Sequence, residues 1–214
     1  VSHGADPKRM HVIGIGPLND PAASTEAARL RLGEGKIVLF LGQLHHYKGF
    51  RSVLDAAMML EDHLDVQFVF AGPDVRGNSR SFAKARPNVK YLGPVSNELR
   101  DSLLQACTIL CVPSTRESFG AVLVEAWACG KPVVAGTAPA VRDLVEEGKD
   151  GFTVPQSGRM IAERLTTLLN DADLRKNMGE HGRAKVRDHF SWKAIAAAHL
   201  QVYSDVLARR GSGF

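Results

Sequence analysis

Short apolar runs rich in Val, Ile, Leu and Phe alternate along the chain with segments whose apolar residues recur at helical spacing. The runs are KIVLFLG (36–42), VQFVFAG (66–72), VKYLG (89–93), TILCVP (108–113), KPVVAG (131–136) and DGFTVP (150–155). Continuous rather than alternating apolar runs suit strands buried on both faces, so a parallel sheet covered by helices on both sides is expected. Between the runs lie GFRSVLDAAMMLEDH, an irregular piece around 76–87, SNELRDSLLQAC, a helix ending at Cys129, and APAVRDLVEEG. Each is long enough for a right-handed crossover. The predicted fold class is α/β, a doubly wound, Rossmann-like six-stranded parallel sheet, with helices from Pro155 to the end. HVIGIG (11–16) reads as a seventh strand or as a linker strand leading in from a preceding domain. The expected division is a linker over 1–20, an α/β domain over 21–190, and a C-terminal helix with a disordered GSGF tail over 191–214.

Local punctuation supports these boundaries. Ser96 suits a helix cap, Pro139 a first-turn position, and Gly130 and Gly148 the ends of helices. If the strands take the order 3-2-1-4-5-6, ligands bind beyond the carboxyl ends of strands one and four, where the order reverses. The loops leaving those strands are GQLHHYKG (42–49) and PSTRESFG (113–120), both polar, charged and running into helices. Strand two exits through AGPDVRGNSRS, to one side of the reversal, where a base or ribose can reach.

Lys48 precedes Gly49 at a helix start, so an ammonium, free backbone N–H groups and the helix dipole can converge on one anion, with a diphosphate the natural guess. Alone, the pair reads more simply as a surface lysine beside a turn glycine. Glu117 and Glu125 stand eight residues apart, with a helix expected to begin near Ser118 to Gly120. Glu117, beside the N–H groups of Ser118, Phe119 and Gly120, suits hydroxyls and phosphate, or a helix cap. Glu125 lies inside an apolar helix, where its carboxylate needs a partner: a ribose diol or an internal salt bridge.

Composition narrows the classes. The chain has 214 residues, 44% hydrophobic and 23% charged, enough for a real core. The +4 net charge is scattered without a run of five like charges, which gives nucleic acid little support and suits a phosphate-bearing small molecule or an anionic membrane face. Cys107, Cys111 and Cys129 are odd in number and sit in apolar stretches, so they read as buried thiols in a reducing compartment rather than as a disulfide or zinc site. No signal-peptide pattern or 18-residue apolar window occurs, and the first residue is Val rather than Met, which suggests a fragment. His45 and His46 are adjacent and lack a third ligand, so an exposed or acceptor-facing loop is expected rather than a metal site. Trp127 and Trp192 read as core or domain-interface side chains. The first strand ends without Gly-x-Gly-x-x-Gly, which disfavours a dinucleotide dehydrogenase.

ESFGAVLVEAWACGKPVVA resembles the Glu-x7-Glu block of the family 4 retaining glycosyltransferases, also called glycosyl transferases group 1. FLGQLHHYKGF, VKYLGPVSNELRDSLLQACTILCVPS, HFSWKAIAAAHLQVY and GADPKRMHVIGIG resemble further blocks of that family in the same order, covering essentially the whole chain. The resemblance implies the C-terminal, donor-binding half of a GT-B fold that takes a UDP-, GDP- or ADP-sugar without a required metal or cofactor and transfers the sugar with retention. Lys48, in one loop with Gly42 and Gln43, would contact the diphosphate. Glu117, with Ser118 and the amides of Phe119 and Gly120, would hold sugar hydroxyls, and Glu125 the ribose. Val95, Asn97 and Arg100 would lie on the base side, with helix capping and a solvated face the equal alternative for Asn97 and Arg100, and Lys48 and Glu117 would be the catalytic pair.

Three positions depart from the family pattern: Gln43 replaces a usual arginine, Ala140 replaces a common glycine, and GIGPLND lacks the usual Asn-Gly-Val. The resemblance also implies an N-terminal domain that supplies the acceptor site, expected to be missing here, so the isolated chain is expected to be inactive in transfer to a glycan, lipid or small-molecule acceptor. Cytoplasmic residence is the expectation from the cysteines and the missing signal pattern, with peripheral contact to the inner membrane face made through the absent domain. A catalytically silent nucleotide-binding module, a GT-B nucleotide-sugar epimerase and a phosphorylase are the alternatives.

Overall fold

The computed structural model describes residues 10–19, 21–63, 65–84 and 86–211. In chain order the elements are α1 (Glu26–Leu32), β1 (Lys36–Leu41), α2 (Phe50–Met59), β2 (Val66–Ala71), β3 (Val89–Tyr91), α3 (Asn97–Ala106), β4 (Ile109–Val112), α4 (Ala121–Ala128), β5 (Val133–Ala135), α5 (Pro139–Leu144), β6 (Gly151–Thr153), α6 (Gly158–Asn170), α7 (Ala172–Lys185) and α8 (Trp192–Gly211). A 3₁₀ segment spans Asn78–Lys84, the stretch predicted to be irregular. The six strands are parallel in the order β3-β2-β1-β4-β5-β6.

The apolar runs form strands because each becomes buried from both sides. Val38 lies between Phe68 of β2 and Ile109 of β4, and all three are essentially solvent-free. Phe40 and Phe70, paired across β1 and β2, pack with their rings tilted and centroids 5.6 Å apart. Helices α1 and α3 pack on one another, as do α2 with α6 and α4 with α7. Ser96 caps α3 by accepting from the Leu99 N–H at 3.2 Å, and Pro139 opens α5. The three thiols are buried as their surroundings predict, and desolvation pushes Cys107 up to about 12.

Three local expectations are corrected. Residues 10–18 form no strand: in place of a ladder partner the segment meets side chains, and Trp192 Nε1 donates to the Pro17 carbonyl at 3.1 Å. Trp192 is 56% exposed beside that segment, and Trp127 is fully buried, the core position expected of it. Helix α5 ends at Leu144, well before Gly148, because Val145 is extended and Asp150 Oδ1 accepts from the Glu146 N–H at 3.0 Å, starting a turn. Helix α4 begins at Ala121, because Gly120 adopts a left-handed conformation that bars it from the helix. The tail beyond residue 211 lies outside the described residues. Among those residues no helix is long and apolar enough to cross a membrane.

Candidate functional site

Beyond the carboxyl ends of β1 and β4 the sheet order reverses, and a cleft of about 540 Å³ opens there. Its floor is backbone. Gly72, following β2, approaches the Gly42 carbonyl so closely that a Cβ would fall 2.0 Å from that oxygen. The Gly72 N–H donates to Gly93 at 2.8 Å, and the Tyr91 hydroxyl donates to the Gly72 carbonyl at 3.0 Å. Two strand exits are thus held together without side chains filling the space above.

Lys48 ends a short 3₁₀ turn, His46–Lys48, and Gly49 then reverses the chain at φ 79° into α2. A Cβ at Gly49 would meet the Pro113 carbonyl at 2.7 Å, so the loop after β1 lies directly on the loop after β4. Gln156 fastens the two: its Nε2 donates to the Tyr47 carbonyl at 2.9 Å and the Pro113 carbonyl at 3.0 Å. The Thr115 N–H adds a bond to the Tyr47 carbonyl at 2.8 Å. Held this way, the Lys48 ammonium forms a partly buried ion pair with Glu117.

Glu125 projects from the middle of α4 with its side chain 3% exposed, and Arg100 from α3 forms an ion pair with it. Arg100 Nη1 also reaches Asp101 Oδ1 at 3.0 Å. Of the two partners expected for Glu125, the internal ion pair is the one present, yet both of its members still line the cleft. Asn19 Nδ2 donates to the Glu125 carbonyl at 3.3 Å, fixing the helix from behind. Neither α2 nor α4 has a side-chain cap at its N-terminus.

Gly42, Gln43, Lys48, Val95, Arg100, Glu117 and Glu125 line one cleft. Asn97 is exposed at the start of α3 and is not among the lining residues, nor are Ser118, Phe119 and Gly120. Phe119 instead packs edge-on against Phe190, ring centroids 5.7 Å apart, and faces a separate depression shared with Gly14 and Ala140. Sequence reasoning missed Tyr47, Pro94 and Gln156. Only Gln156 acts through paired carbonyls, and nothing in its local sequence distinguishes it.

Glu146, Asp150 and His181 bring possible metal-ligand atoms within 4.8 Å of one another. The Lys185 ammonium already sits there, 2.9 Å from Glu146 and bonded to Asp150, so an internal cation fills that position.

Comparison with known proteins matches residues 24–185 to the family described as glycosyl transferases group 1. The chain is 32% identical over 96% of its length to a D-inositol 3-phosphate glycosyltransferase from Corynebacterium glutamicum, covering 54% of that protein. It is 34% identical over 80% of its length to a phosphatidyl-myo-inositol mannosyltransferase from Mycobacterium leprae, covering 47% of it. Among solved structures, sucrose-phosphate synthase from Thermosynechococcus elongatus superposes with a TM-score of 0.78 at 26% identity, over 93% of this chain and 53% of that one. The chain spans about half the length of the curated relatives it matches.

Proposed function

This chain belongs to the glycosyl transferases group 1 family, and we propose that its cleft binds a nucleoside diphosphate sugar whose sugar is transferred with retention to a separately bound acceptor. The observation that carries the reading is the convergence of Lys48, Glu117, Arg100 and Glu125 on one cleft at the sheet's reversal point. Such a cleft matches a ligand with an anionic centre flanked by two polyols. In this reading Lys48 and the uncapped start of α2 meet the diphosphate, Glu117 accepts from sugar hydroxyls, and Glu125, steadied by Arg100, accepts from the ribose.

Transfer breaks the bond between the sugar's anomeric carbon and the diphosphate, and negative charge grows on the departing oxygen. Once the donor is bound, an ammonium and helix N–H groups already directed at the diphosphate answer that charge without further rearrangement, the condition for electrostatic catalysis. No metal is assigned a role in this reading. Lys48 sits on Glu117 in the free chain, so the arriving diphosphate divides the pair: the lysine turns to phosphate and the glutamate to hydroxyls. Val95 and Pro94 offer an apolar wall for the base. The second domain that supplies the acceptor, and cytoplasmic residence at a membrane face, belong to the same proposal, consistent with relatives twice this length.

Thermal unfolding with UDP, GDP and ADP and their sugars tests the site, since ligand at a hundred times Kd stabilises by about 2.7 kcal/mol. Protection that disappears in Lys48→Ala and Glu125→Ala is expected. Equal protection in those variants places the nucleotide elsewhere. Gln43, an uncharged side chain in the phosphate-facing loop, favours a second reading as a silent nucleotide-binding module. Sugar transfer by the full-length protein separates the two.

A further inference from the structure

The two glutamates of the cleft are tied to a segment that lines none of it. Residues 14–19 run without regular structure ahead of α1 and touch the body of the protein at three points. At the first, Gly14 lies against two rings: a Cβ there would fall 2.8 Å from Phe190 Cε1 and 3.1 Å from Phe119 Cε2. Gly14 is not among the glycines with a positive φ, so the close approach, rather than the backbone, calls for a glycine. Phe190 packs edge-on against Phe119, which stands two residues after Glu117. At the second point, Gly16 rests on the Trp192 indole, where a Cβ would fall 2.9 Å from Cε2, and Trp192 Nε1 donates to the Pro17 carbonyl. At the third, Asn19 is 7% exposed and donates through Nδ2 to the Glu125 carbonyl at 3.3 Å and to Cys129 Sγ at 3.2 Å.

Stability alone does not account for Asn19. Its Oδ1 is shielded from solvent and has no hydrogen-bond partner among the described residues, and a buried amide with one end unpaired costs the fold. A leucine of similar size avoids that cost. What leucine lacks is a donor for the carbonyl of Glu125, the residue whose side chain reaches the cleft from the middle of α4.

We propose that residues 14–19 form a strap that sets both glutamates: Gly14 acts through Phe190 and Phe119 on the Glu117 loop, and Asn19 acts directly on α4 at Glu125. Both are positioning residues, since neither lines the cleft. The ligand contacts they control rest on the donor reading, in which Glu117 meets the sugar and Glu125 the ribose. The two ends of the strap therefore differ in effect. Displacing Glu117 removes only what the sugar contributes, whereas displacing Glu125 weakens every ligand that carries the ribose.

Calorimetric titration of the chain with UDP, GDP and ADP and with their glucose conjugates, alongside thermal midpoints, reads both ends. Asn19→Leu is expected to leave the midpoint unchanged or higher while weakening diphosphate and conjugate alike by roughly fivefold, the reach of one neutral hydrogen bond. Gly14→Ala is expected to spare the bare diphosphate and to cut the conjugate's advantage over it by roughly tenfold, as a misplaced contact does. Adding Phe190→Leu to Gly14→Ala makes room for the new methyl group and should restore that advantage. If none of the nucleotides binds the unsubstituted chain, the donor reading fails, and amide hydrogen exchange in the free chain still tests the strap. Gly14→Ala should then speed exchange at residues 119–121, and Asn19→Leu at residues 126–129, each on the order of tenfold. Midpoints that fall while affinities and exchange stay unchanged would reduce the segment to packing and overturn the proposal.

Discussion

Lys48 and Glu117 form an ion pair in the cleft, so a diphosphate that takes up the ammonium, as proposed, has to divide the pair. Removing only the glutamate's charge separates its two proposed duties. Glu117→Gln is expected to tighten binding of the bare nucleoside diphosphate by roughly fivefold, about 1 kcal/mol, because the phosphate no longer competes for Lys48. The same change should abolish any added affinity contributed by the sugar. Calorimetric titration with the diphosphate and its sugar conjugate reads both effects, and weaker binding of both ligands would contradict the division of roles. Arg100 poses a different question, because Glu125 is nearly sealed from water. Arg100→Ala strands that carboxylate and should cost on the order of 2 kcal/mol, less than the loss for a fully buried pair because Arg100 is itself 24% exposed. Adding Glu125→Gln should recover much of the loss, a coupling that a double-mutant cycle by chemical denaturation measures directly.

The junction of two loops sets where Lys48 points, and Gly49 is its narrowest point. Gly49→Ala combines a left-handed backbone at φ 79° with a Cβ driven into Pro113. Gly77 has nearly the same φ, 70°, but open space around it. Gly77→Ala should therefore cost only the backbone preference, about 1 kcal/mol, whereas Gly49→Ala should cost clearly more and also remove nucleotide protection. Equal urea midpoints for the two variants would show that the loop contact is not tight. The six strands are legible in the sequence because burial on both faces demands the unbroken apolar runs that KIVLFLG and VQFVFAG display. Their topology then makes the Lys48 and Glu117 loops neighbours. HVIGIG misleads because strand propensity records a side-chain preference, whereas a strand also needs an open ladder edge. Arg100 with Glu125 and Gln156 with its two carbonyls are illegible for another reason: each joins residues far apart in sequence, and only the folded geometry selects the partner.

Across the molecule, the C-terminal helices are secured to the sheet by a charged knot distant from the cleft. Lys185 of α7 meets Glu146, Asp150 and the Leu144 carbonyl, and lies 5.0 Å from the centre of the Trp127 ring. Trp127 in turn donates to the Asp150 carbonyl at 2.9 Å, so one ammonium joins α7, α4 and the turn before β6. Hydrogen bonding and charge from Lys185, then Lys149, lower the Glu146 carboxyl to about 2. Burial pushes Asp150 the other way, raising it despite the same lysine. A depressed carboxyl stabilises the fold above its unfolded value and loses that contribution as pH falls through the folded one, whereas a raised carboxyl favours the fold as it becomes protonated. Between roughly pH 4.5 and 2 Glu146 should therefore make the fold acid-sensitive, with Asp150 partly offsetting it. Glu146→Gln should lower stability near neutrality yet flatten its decline across that window, a comparison measurable as urea midpoints by circular dichroism at successive pH values. The lowered carboxyls of Asp65 and Asp188 remain in the variant, so a residual acid sensitivity should persist. An unchanged slope would mean that Lys185 gains its hold from Asp150 and the Trp127 face, with Glu146 contributing only from the exposed side.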